Sequence, residues 1–246
     1  MYSMVFNRNV LYVGESPFGK YKIVDTNYNG RPARVLYGSR SSPQSGAARD
    51  DNPELLFDYN QRFLEIMMSR SPKKVLVIGG GAFMLPIAAF HRFPRTHIDV
   101  VEIDPLLVKL SKDFFDLPDD KRMGVHVGDG AAFVASTKGR YDMIILDAFS
   151  GYDIPHHLLE REAITRYKQR LTKDGVIAIN FISSYKPNRP RLAHELVESF
   201  GAIFSHISLC QADAEYLREE KQNLLLIAGN KPFQFDYLQS RELELS

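Results

Sequence analysis

Val75-Leu-Val-Ile-Gly-Gly-Gly-Ala82 is the stretch on which the reading of the fold turns. Four apolar residues, three of them β-branched, run straight into three glycines. Ala82-Phe-Met-Leu-Pro-Ile-Ala-Ala-Phe90 follows and reads as the start of a helix with Pro86 in its first turn. Strand, glycine turn and helix in that order open a nucleotide-type α/β unit. Gly79, Gly80 and Gly81 let the backbone turn tightly and come close to a ligand. The N–H groups left unpaired at the helix start point toward the same place. A tight turn that binds nothing would use the same residues, so other strands must decide.

About twenty residues further on, His97-Ile-Asp-Val-Val-Glu-Ile-Asp104 reads as a second buried strand ending in acids. A carboxylate at that strand end can accept from two vicinal ribose hydroxyls, and Glu102 is the expected acceptor. Asp104, directly before Pro105, is placed to cap the next helix. Glu102 is expected to face a crevice and to support no core.

Outward from these strands the chain alternates. Strands are expected at 75–79, 97–103, 124–128, 141–146 and 175–181. Helices are expected around 83–92, 105–115, 130–136, 158–170 and 189–200. β signals at 203–209 and 223–228 suggest a closing antiparallel pair. The pattern predicts an α/β fold with a doubly wound, mostly parallel sheet. Ligands of such sheets sit beyond the carboxyl ends of the strands. Gly79–Gly81, Glu102, Asp129 with Gly130, and Asp147 all fall at those ends, so four strands aim glycine or acid at one crevice.

Before the glycine turn the signals differ. Val10–Val13, Tyr21–Val24 and Ala33–Tyr37 are short β-prone runs separated by glycine, proline and Asn29-Gly30. They predict a small N-terminal antiparallel β subdomain over 1–53, with Pro43–Pro53 as a polar loop. The α/β domain is expected over 54–246, including a leading helix at Glu54–Met68. Leu55, Leu56, Tyr59, Phe63, Ile66 and Met67 fall on one face of that helix.

The 246 residues are 44% hydrophobic and carry a net charge of +1. That length suits one large domain or one with a small companion. The charge balance gives no broad attraction to nucleic acid or to acidic membranes. Cys210 is the single cysteine, which rules out an intramolecular disulfide. No apolar run reaches membrane-spanning length, and the first residues lack the basic start of a signal peptide. The expectation is a cytoplasmic protein. No Gly-x-x-x-x-Gly-Lys loop completed by Ser or Thr is present, since Tyr21 follows Gly14-Glu-Ser-Pro-Phe-Gly-Lys20, which disfavours ATP chemistry. His156-His157 has no third His or Cys at metal-ligand spacing, so no metal is expected. Those histidines read as surface or helix-capping residues.

Lys73-Lys-Val-Leu-Val-Ile-Gly-Gly-Gly81, Val100-Val-Glu-Ile-Asp-Pro105, Val127-Gly-Asp-Gly130 and Tyr141-Asp-Met-Ile-Ile-Leu-Asp-Ala148 resemble the spermidine synthase (polyamine aminopropyltransferase) family in order and spacing. Glu15–Gly19, Gly38–Gln44 and Tyr59 resemble its N-terminal strands and leading helix. The resemblance covers nearly the whole chain and implies the class I fold of the methyltransferases that use S-adenosylmethionine (AdoMet). It implies aminopropyl transfer from decarboxylated AdoMet to a polyamine amine, or AdoMet use if the chain is a methyltransferase, and it implies a homodimer. By the same resemblance Glu102 would hold the ribose hydroxyls, Asp129 would accept from the adenine amino group, and Asp147 would take the proton from the reacting amine. Gln44, Tyr59, Tyr152 and Asp153 would line the acceptor side.

Two positions depart from the family. Ala82 stands where an acid usually follows the glycines. Ser150 stands where a second acid usually follows the proton acceptor, and Asp153, before Ile154-Pro155, is the candidate to replace it. These losses leave three readings: aminopropyltransferase, methyltransferase, or a catalytically silent nucleoside-binding relative.

Overall fold

The structure is a computed structural model that describes residues 9–39, 42–50, 55–149, 153–184, 191–213, 217 and 220–233. Its larger sheet has seven strands in the order β10-β11-β9-β8-β5-β6-β7. These are β5 (Lys74–Ile78), β6 (His97–Glu102), β7 (Met123–Val127), β8 (Tyr141–Leu146), β9 (Leu171–Ser183), β10 (His206–Gln211) and β11 (Gln222–Gly229). Strands β5 to β9 pair in parallel. β11 runs antiparallel between β9 and β10, the closing pair that the sequence suggests.

The central strands are apolar on both faces because helices cover both. Val75, Val77, Met143 and Ile145 join one core cluster with Phe63, Leu85 and Leu107, from α1 (Asp58–Arg70), α2 (Met84–Arg92) and α3 (Pro105–Phe114). Leu76, Ile78, Ile144 and Leu146 join the other with Val134, Ile164 and Leu196, from α4 (Gly130–Ser136), α5 (Arg161–Arg170) and α6 (Arg191–Gly201). The period-2 split along each strand is the direct consequence of pleating. β5 is flanked by β6 on one side and by β8 on the other, so the strand order reverses there and opens a crevice at the carboxyl ends.

A second, four-stranded antiparallel sheet comprises β1 (Asn9–Ser16), β2 (Gly19–Tyr28), β3 (Arg31–Tyr37) and β4 (Pro43–Ala48). Tyr21, Ile23 and Leu36 carry it onto the α1–α3 side of the core. β4 corrects the reading of 43–53 as loop. Pro-Gln-Ser-Gly-Ala-Ala has no β-branched residue, and its pairing with β3 makes it a strand. As an edge strand it tolerates Pro43 at its first position.

Other boundaries move. The leading helix expected at Glu54–Met68 spans Asp58–Arg70, so Leu55 and Leu56 lie before it and not on its face. The helix expected at 158–170 divides into a 3-10 turn at His156–Leu158 and α5. β9 starts at Leu171, before the Gly175 start expected. Among the described residues no helix is long and apolar enough to cross a membrane.

Candidate active site

The glycine turn is built by close approach. Gly79 has φ +95°, and a Cβ on it would lie 2.4 Å from the backbone oxygen of Asp147. Gly81, at φ +54°, faces the edge strand, where its Cβ would lie 3.7 Å from Ser45 Cβ. Phe83 itself adopts a left-handed φ of +59° at the start of α2 and is fully buried. A bulky residue held there carries strain of order 1–3 kcal/mol, which the surrounding packing must offset. The turn is therefore wedged between β8 and β4.

Asp147 stands where β8 ends, its N–H donating to Ile78 O at 2.9 Å. Its carboxylate Oδ1 accepts from Asn180 Nδ2 at 2.8 Å, and Asn180 Oδ1 accepts from Asn223 Nδ2 at 2.9 Å. Asn180 is 1% exposed, so this amide chain is a fixed brace reaching from β11 through β9. Burial pushes the Asp147 carboxyl up to about 7, and the Asn180 bond acts against that rise. A carboxyl that titrates near neutrality at the crevice is suited to exchange a proton with a substrate. Asn180 and Asn223 were not singled out in the sequence. A lone amide in an apolar strand, Ile-Ala-Ile-Asn180-Phe, was the available signal.

Glu102 is almost fully buried, and its carboxylate closes the glycine turn. Oε2 accepts from Gly80 N at 2.7 Å and Gly81 N at 3.2 Å, while Oε1 accepts from Asp104 N at 2.9 Å. Burial raises its pKa against these three bonds. The expectation that Glu102 supports no core is thereby corrected: it is buried and holds the turn's backbone. Asp104 caps α3 as expected, accepting from Leu106 N at 2.8 Å. It also accepts from Tyr21 Oη at 2.7 Å and Ser16 Oγ at 2.5 Å, tying the N-terminal sheet to the end of β6.

Asp129 begins α4 and accepts from Ala132 N at 2.8 Å through Oδ1. Oδ2 is 2.7 Å from His157 Nε2. Burial opposes its charge, but the Ala132 N–H and His157 outweigh it and hold the carboxyl below its ordinary value. Gly130 lets α4 lie against β5, since a Cβ there would come within 2.4 Å of Ile78 Cγ2. Ile103 and Val127, beside Glu102 and Asp129, are exposed aliphatic side chains at the strand ends. They offer apolar surface for a flat ring, and sequence patterning did not select them.

The expected acceptor side is less gathered. Tyr59 on α1 packs edge-on to Phe63, and its phenol is pushed well above its ordinary range, first by burial and then by the charge of Asp147. Gln44 is exposed, with its amide over Gly38, while its neighbour Ser45 is the buried β4 residue facing the turn. Asp153 is exposed. Tyr152 and Ser150 lie outside the described residues. Ala82 is 1% exposed and belongs to the core, so an acid at this position would bury a charge. Among the described residues no group of His, Cys, Asp and Glu could hold a metal ion.

A profile of the spermine/spermidine synthase domain matches residues 63–216, which contain the glycine turn, Glu102, Asp129 and Asp147. The chain belongs to the spermine/spermidine synthase family. It is 36% identical over 124 residues to a polyamine aminopropyltransferase of Vibrio vulnificus, covering 49% of this chain and 42% of that protein. It is 33% identical over 150 residues to the human eEF1A lysine and N-terminal methyltransferase, covering 56% of this chain and 20% of that protein. The chain thus spans less than half the length of either relative. The crystal structure of a probable spermidine synthase from Corynebacterium glutamicum superposes with a TM-score of 0.79 at 21% identity, covering 91% of this chain and 81% of that one. That likeness extends through both sheets as a fold.

Proposed function

We propose that the chain binds a sulfonium nucleoside at the ends of β5, β6 and β7, and transfers an aminopropyl group from decarboxylated AdoMet to a polyamine amine. The observation that carries this reading is Asp147, a neutral-range carboxyl beside the glycine turn. An ammonium must lose a proton before its nitrogen can attack the methylene carbon next to sulfur. The new C–N bond then forms as the C–S bond breaks, and methylthioadenosine leaves with the electron pair on sulfur. Asp147 takes the proton and balances the positive charge of the reacting groups. Tyr59 supplies a ring beside it for an acceptor's methylene chain. Asp153 and Gln44 are proposed on the acceptor side for their hydrogen-bonding groups.

The choice of donor rests on the turn. AdoMet carries a carboxylate that needs donors, and the N–H groups of Gly80 and Gly81 are already held by Glu102. That arrangement favours the decarboxylated donor. The methyltransferase reading draws on Ala82, which removes an acid that would attract the donor's ammonium, and on the likeness to the human methyltransferase. A paired calorimetric titration of both donors into the parent protein separates the two. The decarboxylated donor is expected to bind at least as tightly, and incubation with polyamines should release methylthioadenosine. Clear preference for AdoMet, with S-adenosylhomocysteine released, would replace this proposal with the methyltransferase.

Glu102 gives a second test. Glu102→Gln keeps one acceptor oxygen for the turn and removes the charge. Methylthioadenosine affinity should fall by about 1.5–3 kcal/mol, the usual worth of hydrogen bonds to a charged group. Glu102→Ala should also lower the melting temperature, because three N–H groups lose their acceptor. Unchanged affinity in the folded Gln variant would remove Glu102 from the ribose site.

A further inference from the structure

As N-cap of α4, Asp129 accepts from Ala132 N through Oδ1, with the Ala131 N–H also favouring its charge. Its partner on Oδ2, His157, comes from a different part of the chain, 28 residues on. The contact requires a proton on Nε2, which then donates to the carboxylate.

The local fold presents this histidine deliberately close. Leu158 N donates to Pro155 O at 2.9 Å and Leu159 N to His156 O at 2.9 Å, closing the 3-10 turn. Leu158 is 3% exposed, and its Cδ2 would lie 3.5 Å from a Cβ on Gly130, at the first residue of α4. The buried Tyr167 hydroxyl donates to Leu158 O at 3.0 Å from α5. His156 turns instead to Glu160, with Nδ1 3.3 Å from Oε1. The turn is thus anchored on both sides of His157, while the His157 side chain stays about half exposed.

We infer that His157 is a positioning residue for nucleobase recognition: it locks the Asp129 carboxylate so that an open lone pair of Oδ2 meets the 6-amino group of adenine. The inference rests on the nucleoside reading above. A carboxylate oxygen offers two lone-pair directions. Oδ1 is committed to α4, and His157 takes one direction of Oδ2, which leaves the other for a donor. Without His157 the carboxylate is held at one oxygen, and its terminal torsion is a broad one. A site built to accept from an amino group discriminates against a ring that lacks it, because the acceptor is then left unpaired. His157 therefore acts on the choice between 6-amino and 6-unsubstituted purines and not on nucleoside binding in general. A half-exposed pair of this kind contributes little to folding, so the melting temperature should not move.

The test is calorimetric titration of 5′-methylthioadenosine and of its analogue with hydrogen at purine C6. Both are titrated into the parent, His157→Ala and His157→Gln. The parent should prefer the amino ligand, and His157→Ala should cut that preference by roughly fivefold, the scale of one hydrogen bond. Affinity for the 6-hydrogen analogue should be the same in all three proteins. His157→Gln, which keeps an N–H donor, should restore most of the preference. A preference unchanged in His157→Ala, or a parallel loss for both ligands, would overturn the role assigned to His157. A parent that binds neither ligand overturns the nucleoside reading itself, and the inference falls with it.

Discussion

Asp147→Asn should reduce aminopropyl transfer by about 10²–10⁴-fold, the range for losing a positioned general base. Methylthioadenosine binding should survive, since the amide keeps the shape and methylthioadenosine carries no sulfonium charge. In the parent, turnover should rise with pH through about 7, where the carboxyl ionises. The variant's residual rate should lack that rise. Product release measured from pH 5.5 to 9 decides the matter. Turnover within a few-fold of the parent, or an unchanged profile, would assign the proton to another group.

The same carboxyl has a cost in stability whose sign is fixed. Its ordinary value is 3.8, and in the fold it titrates near 7. Well below 3.8 both folded and unfolded chains hold the proton, so nothing is lost. As pH rises between the two values only the unfolded chain ionises, and stability falls. Above the folded value the full cost is present. The gap sets a ceiling of about 4 kcal/mol. Asp147→Asn should therefore be more stable than the parent at pH 8 and equal to it at low pH. If Asp147 is the proposed base, its costly environment is the usual trade between stability and activity.

The sheet was legible because its strands are buried on both faces. Val75–Ile78 and Met143–Leu146 leave no polar alternative to a covered parallel strand. The carboxylates proposed for the site stand out in the sequence because they sit where such strands end. β4 was not, because Pro43–Ala48 becomes a strand only through its partner β3, and edge pairing leaves no period in small residues. The Asp147–Asn180–Asn223 brace was also hidden. It joins residues far apart in sequence, and an amide shows no charge pattern to mark it. His157 reads from the sequence as a surface or helix-capping residue, and its carboxylate partner 28 residues away leaves no mark in local spacing. Glu102 was placed correctly at a strand end but its closing of the glycine turn depends on backbone N–H groups, which side-chain spacing does not reveal.

Asp104→Ala should be the most destabilising single change at the joint between the two sheets, by about 2–5 kcal/mol. The carboxylate is fully buried and serves three donors from three places: Leu106 N in α3, Tyr21 Oη in β2 and Ser16 Oγ in β1. Losing the helix cap costs about 1 kcal/mol. Leaving the buried Tyr21 hydroxyl without its acceptor costs about 1–3 kcal/mol. Ser16 is partly exposed and can turn toward water, so its share is smaller. Against a typical total of about 5–15 kcal/mol, this is a large fraction of what holds the fold. Urea denaturation should show a lower midpoint with an unchanged slope if the two sheets still unfold together. Adding Tyr21→Phe to Asp104→Ala should recover part of the loss, because the orphaned hydroxyl is then gone. In the parent background Tyr21→Phe alone should destabilise. That opposite sign is the signature of a buried pair, and additive losses in the double variant would show that Tyr21 and Asp104 act separately. The joint bears on the site as well. Asp104 donates its own N–H to Glu102 Oε1, so the acid that anchors the N-terminal sheet also fixes the proposed ribose carboxylate. The backbone donor remains in Asp104→Ala, and methylthioadenosine affinity should accordingly fall less than in Glu102→Ala.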